Sequence, residues 1–248
     1  MKIRKKAPKP SPTKPPLYLV GYRYSAPSLD ELKIWYDLEY GGPLSAAAGE
    51  SGASSALSHG PWHARVLTTL PEAETARWQD VLSWDHPALA VVSPAGAAPS
   101  LIADTVLFAA RLARGMTLLT QGTAFDIVAQ QYLNPSDWTD HPLAVFHAHD
   151  HVSVHHTEAE DVTCEWFYTL GLSKFGLDEL ELIQPRGLPS LDAVELLTET
   201  ADRVLRAGQN QKVGTAMDIP ALARTVSFVK HRTTAPNGRL LAFRQISA

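Results

Sequence analysis

Apolar and polar positions fall into short blocks whose rhythm changes near the middle of the chain. Residues 17–24 (LYLVGYRY) are dense in aromatic and branched side chains and predict a first strand. Ser28 with Glu31 three residues on is a capping box, and Leu29, Leu32 and Tyr36 share one face of the helix it opens. Gly41, Gly42 and Pro43 stop that helix, and the Ala-, Ser- and Gly-rich residues 43–60 read as a loop. Residues 62–70 alternate as a strand, and Pro71 opens a helix with Trp78, Val81 and Leu82 on its apolar side. The unbroken run 88–93 (ALAVVS) suits a strand covered on both faces. After a turn over 94–98, Pro99 starts a helix to Arg114, with Ile102, Val106, Ala109, Ala110 and Ala113 at helical spacing and Gly115 as its C-cap. Residues 116–120 read as the next strand and 124–133 as a short helix.

The second half is richer in strands. Residues 143–149, 152–156, 165–170 and 179–184 each read as one. Ser190 caps a helix to Ala207, whose buried stripe is Leu191, Val194, Leu197 and Val204 and whose end is Gly208. Residues 225–230 and 239–246 are expected to pair through a turn at Asn237 and Gly238. The fold class is therefore α/β (α+β): a mixed β-sheet with helices packed on it, N-terminal β-α repeats and a strand-rich C-terminal half. The expected division is a basic, Pro-rich, disordered arm over 1–16, an α/β half over 17–136 and an α+β half over 137–248. Asn134, Pro135, Asp137, Asp140 and Pro142 mark the boundary, and one continuous domain is the alternative.

Composition narrows the function classes. At 248 residues and 45% hydrophobic the chain can bury a sizeable core. Its apolar runs break well before the roughly 20 residues of a membrane span, so no membrane role is expected. Cys164 is the single cysteine, which excludes an internal disulfide framework and fits a reducing, cytoplasmic setting. Six of the 22 basic residues lie in the first 14 positions, among them Lys2, Arg4, Lys5, Lys6 and Lys9, and the remainder carries a net charge of −10. The arm could hold a polyanion, solubilise the chain or fold back on its own acidic body. Nucleic acid has little beyond this arm to bind, because an acidic body repels phosphate.

The densest chemistry is histidine. His141, His147, His149, His151, His155 and His156 crowd into sixteen residues. On one continuous strand, His147, His149, His151 and His155 would share a face and could hold zinc, with Asp150, Glu158, Glu160 or Asp161 completing the shell. The competing reading is a polar hairpin with a turn near Asp150, which splits the cluster. The string His147-Ala148-His149-Asp150-His151 also falls one residue short of the His-x-His-x-Asp-His pattern of metallo-β-lactamases, and only His231 follows as a later ligand. Elsewhere the chemistry is sparse. The turn over 93–100 could cradle an anion at a helix N-terminus but lacks dinucleotide or P-loop spacing. No Gly-x-Ser-x-Gly elbow is present, and Cys164 reads as a small packing residue rather than a partner of His155 or His156.

A more specific pattern begins at Thr169. Thr169, Gly171, Leu172, Phe175, Gly176, Glu179, Leu180 and Glu181 follow the form T-x-G-L-x-x-F-G-x-x-E-L-E, with the two glycines bending the chain and Leu172 and Phe175 plugging a core. This resembles the C-terminal signature of a bacterial family known only as domain of unknown function 4261, over about residues 163–220. The resemblance implies a fold and no activity or catalytic residue. The first expectation for function is accordingly a non-enzymatic bacterial cytoplasmic module that binds a protein partner in an accessory or immunity-like role. The alternatives are a metal-dependent hydrolase built on the His147–His156 stretch and a polyanion binder acting through the arm.

Overall fold

The structure is a computed structural model, and it describes residues 17–22, 24–25, 27–48, 54–68, 76, 78, 81, 88–94, 102–159, 163–234 and 241–247, without the side chains of 48 and 88–94. Two sheets with helices packed on them make an α+β architecture. The first sheet has seven strands in the order β2-β3-β4-β5-β1-β6-β7. These are β1 (Tyr18–Tyr22), β2 (Ser45–Ala48), β3 (Ser54–His59), β4 (Trp62–Leu67), β5 (Ala88–Pro94), β6 (Thr123–Asp126) and β7 (Gln131–Leu133). Every neighbouring pair in it is antiparallel. The second sheet has six strands in the order β11-β12-β13-β10-β9-β8. These are β8 (Ser153–Glu158), β9 (Cys164–Leu170), β10 (Glu179–Pro185), β11 (Ala216–Ile219), β12 (Arg224–Arg232) and β13 (Phe243–Ser247). Only β10 and β13 run parallel, so this sheet is mixed.

Helix α1 (Leu29–Tyr40) packs on α2 (Ile102–Thr120), which lies on the first sheet, and α4 (Ser190–Ala207) packs on the second. The short helix α3 (Pro135–Asp140) follows β7. One buried apolar cluster runs through both sheets, from Tyr18 and Phe108 to Phe167, Leu197 and Phe228. Among the described residues no helix is long and apolar enough to cross a membrane.

Several elements differ from the sequence reading, each for a physical reason. Helix α2 does not stop at Gly115 but runs on to Thr120, which replaces the strand expected over 116–120. Gly115 serves packing there. A Cβ on it would lie 2.5 Å from the Trp35 ring, so its absence lets α1 press against α2. The helix expected over 124–133 is instead the hairpin β6–β7. The Asp126 carboxylate accepts from the backbone N–H groups of Val128 and Ala129 at 3.0 and 2.9 Å, and that side-chain turn reverses the chain. The loop expected over 43–60 contains β2 and β3, whose small residues form strands because β2 pairs with β3 and β3 with β4. Helix α4 is rotated from its expected stripe. Leu197 and Val204 are buried, but Leu191 is exposed, and Leu196, Thr200 and Ala201 face inward. Pro189, not Ser190, holds the cap position. The helix expected after Pro71 lies largely outside the described residues, although Trp78 and Val81 do pack against Leu19.

Candidate functional site

The His-rich stretch connects α3 to β8 and so bridges the two sheets. It does not form the strand expected over 143–149. Leu143 has φ +55°, and the buried Arg111 guanidinium of α2 donates to the Leu143 and Ala144 carbonyls at 2.9 and 2.8 Å. Carbonyls held by a guanidinium are not available to a neighbouring strand. A single 3₁₀ turn over Ala148–Asp150 then redirects the chain into β8. The far end is tied back by Ser153 Oγ, which donates to the Ala129 carbonyl at 2.7 Å.

This path scatters the four histidines read as one metal face. His155 has Nε2 within 2.8 Å of Ser153 Oγ and 3.0 Å of the Ala129 carbonyl, and its ring stacks on Tyr168. His151 is 1% exposed, stacked on Phe146 at 4.9 Å with Phe175 at its edge, and neither ring nitrogen has a hydrogen-bond partner among the described residues. Burial pushes its pKa well below the ordinary value, and the nearby Lys174 ammonium pushes the same way, so the ring is neutral. His147 lies exposed, stacked on His149 at 5.3 Å. Among the described residues, His149 alone of the four joins a group with ligand geometry, and its companions are His141 and Asp150. His141 Nδ1 lies 2.9 Å and His149 Nε2 3.4 Å from the same oxygen of Asp150. His141 stands at the end of α3, where the sequence gives no strand face to place it on. The basic residues Lys2, Arg4, Lys5, Lys6 and Lys9 lie outside the described residues.

Below the turn sits a buried polar cluster that the sequence reading did not assemble. The Lys174 ammonium pairs with the Asp126 carboxylate, and both side chains are nearly inaccessible. The Tyr18 ring lies 5.7 Å from the Lys174 nitrogen, and its hydroxyl is held un-ionised, first by burial and then by the charge of Asp126. Asp126 is on the first sheet and Lys174 precedes β10, so this pair fastens the two sheets together.

The signature residues of the second sheet hold the chain in place. Glu179, fully buried, accepts from Thr169 Oγ1 at 2.9 Å and from the backbone N–H groups of Gly171, Leu172 and Ser173 at 3.0, 3.2 and 3.0 Å. Thr169 Oγ1 accepts in turn from the Leu180 N–H at 2.8 Å. Glu181 accepts from Trp166 Nε1 at 2.8 Å and pairs with Arg232. Leu172 and Phe175 are buried in the shared core. Gly171 has φ +128° and Gly176 φ +74°. At Gly171 a Cβ would also lie 2.3 Å from the His151 carbonyl oxygen, so this glycine lets the signature turn close over the His-rich connection.

A different surface appears on α1. Its inner residues Leu32 and Tyr36 are buried, yet Ile34 and Leu38, one turn apart on the outer side, are 63% and 84% exposed. Glu31 on the same side shares a shallow depression with Tyr24 and Leu119, themselves exposed apolar residues. Comparisons with protein-family models, curated proteins and solved structures find no match.

Proposed function

We propose that the protein is a non-enzymatic accessory module that binds a protein partner through the outer face of α1. The observation that carries this reading is the exposure of Ile34 and Leu38 on a helix whose inner face is already fully engaged. Neighbouring exposed apolar side chains on a well-packed helix cost solubility without adding to the core, and such patches mark interaction sites. Asp30, Glu31 and Asp37 flank the stripe, against Lys33 alone. A second copy of the chain would set acid against acid, so the fitting occupant is a different protein with an apolar groove and a basic rim. The signature supports the same reading, because Thr169, Glu179 and Glu181 spend their polar atoms on the chain itself. The resemblance to the family of unknown function 4261 adds a fold-level parallel and no reaction.

The test is a photo-crosslinking amino acid at position 38, with one at the exposed Arg203 as control, in the cells that make the protein. One discrete heterologous adduct is expected at position 38, absent at 203, lost in Ile34→Asp and weakened by salt. Adducts of equal yield at both positions, or only adducts with a second copy, overturn the reading.

A further inference from the structure

We infer that His141, His149 and Asp150 form a binding site for a divalent transition metal of the zinc class. Their three ligand atoms lie within 4.8 Å of one another. Around a tetrahedral ion with bonds of about 2.0–2.2 Å, ligand atoms sit roughly 3.3–3.6 Å apart. The His141–Asp150 and His149–Asp150 separations of 2.9 and 3.4 Å already fall near that spacing.

The electrostatics are those of a built site. The Asp150 side chain is 5% exposed, whereas those of His141 and His149 are 44% and 59% exposed. A carboxylate at the base with two imidazoles on the rim leaves the outer side open to an ion and to water. Two imidazoles and one carboxylate select zinc or a neighbouring transition metal over magnesium or calcium, which prefer oxygen shells. The backbone makes the site stiff. Arg111 pins the carbonyls of Leu143 and Ala144, and Ser153 pins the other end to Ala129, so the turn carrying His149 and Asp150 is anchored on both sides. An ion held there would clip the end of α3 to the turn that enters the second sheet.

The inference goes beyond the partner-binding reading and does not depend on it. It also leaves His151 and His155 out of the metal shell, because one is buried against Phe146 and the other is committed to Ser153 and Ala129.

The test uses full-length, tag-free protein titrated with zinc against a chromophoric chelator, with cobalt as a spectroscopic probe. One ion per chain is expected, with cobalt bands of low-symmetry four- or five-coordination and no competition from excess magnesium. His149→Asn should weaken zinc by at least the roughly 10–100-fold seen when an outer partner of a metal ligand is lost. His141→Asn should do the same. His155→Asn should leave affinity within about threefold, a change too small to signify a lost ligand. Circular dichroism and unfolding midpoints matched to the parent keep the comparison about ligation. No stoichiometric zinc, or equal losses at His141, His149 and His155, would overturn the site.

Discussion

Two connections meet at the second sheet, one leading into β8 and one joining β9 to β10, and each is organised by an almost fully buried carboxylate, yet they have opposite characters. In the signature turn, Glu179 faces three backbone N–H groups and the Thr169 hydroxyl. Those donors cannot leave without unfolding the turn. In the His-rich turn, Asp150 faces the imidazoles of His141 and His149, which sit partly exposed and can rotate away without unfolding the turn. Burial of the acid is the same in both; the nature of its partners differs. A carboxylate saturated by main chain is a structural brace, and one approached by exposed imidazoles is available for chemistry.

Deleting each acid separates the two turns most strongly. Glu179→Ala orphans three N–H groups, two of them on residues that are themselves buried. Each buried donor left without a partner costs about 1–3 kcal/mol, so a loss of roughly 3 kcal/mol or more is expected in chemical unfolding. Asp150→Ala removes contacts only to partly exposed rings that water can satisfy, and should cost about 1 kcal/mol. Equal losses at the two positions would erase the distinction between brace and site.

The two glycines of the signature turn differ in what surrounds them. Both have positive φ, but a Cβ on Gly176 meets nothing within 4 Å, whereas one on Gly171 meets the His151 carbonyl at 2.3 Å and Val152 Cα at 3.0 Å. Gly176→Ala should therefore cost only the left-handed penalty of about 1–2 kcal/mol. Gly171→Ala adds a backbone collision and should cost roughly 2–3 kcal/mol. Thermal or denaturant midpoints of the two variants decide this, and the order should not reverse. The contrast would locate the contact between the two connections at Gly171.

The sequence made some of this legible and hid the rest, for identifiable reasons. The capping box at Ser28 and Glu31, the strands around Phe167 and Leu182 and the helix ending at Gly208 are local patterns, and the structure contains each of them. Gly115 and Asp126 misled because each is ambiguous in isolation. A glycine after an apolar helix reads as a cap until Trp35 is seen lying on it, and Asp126 reads as helical until its carboxylate folds the next turn. The shared metal face needed one continuous strand, whereas the chain turns near Asp150, as the competing reading has it, and Arg111, 32 residues earlier than Leu143, takes the carbonyls that a strand would use. His141 could be assigned only after α3 placed it across from Asp150. Its pairing depends on a chain path, and no spacing rule encodes it.

The mildest expected effect concerns His151, the residue where the two connections touch. Its ring is buried between Phe146 and Phe175 with no hydrogen bond, and the charged or titratable groups near it are Lys174, His147 and His149. Burial, followed by Lys174, lowers its folded-state pKa well below 6.5, the value of an ordinary histidine. The unfolded chain therefore binds a proton at pH values where the folded chain refuses it. The stability from a neutral His151 is complete above about pH 6.5 and is lost as pH falls toward the folded-state value, by at most about 1.4 kcal/mol per pH unit. His151→Phe keeps the stacked shape and removes two unpartnered nitrogens, so at pH 7.5 its stability should be within about 1 kcal/mol of the parent. Denaturant midpoints measured between about pH 5.5 and 7.5 should fall with acidity in the parent and stay flatter in the variant. Parallel curves would mean that the ring finds a partner in the folded chain and that burial does not hold it neutral.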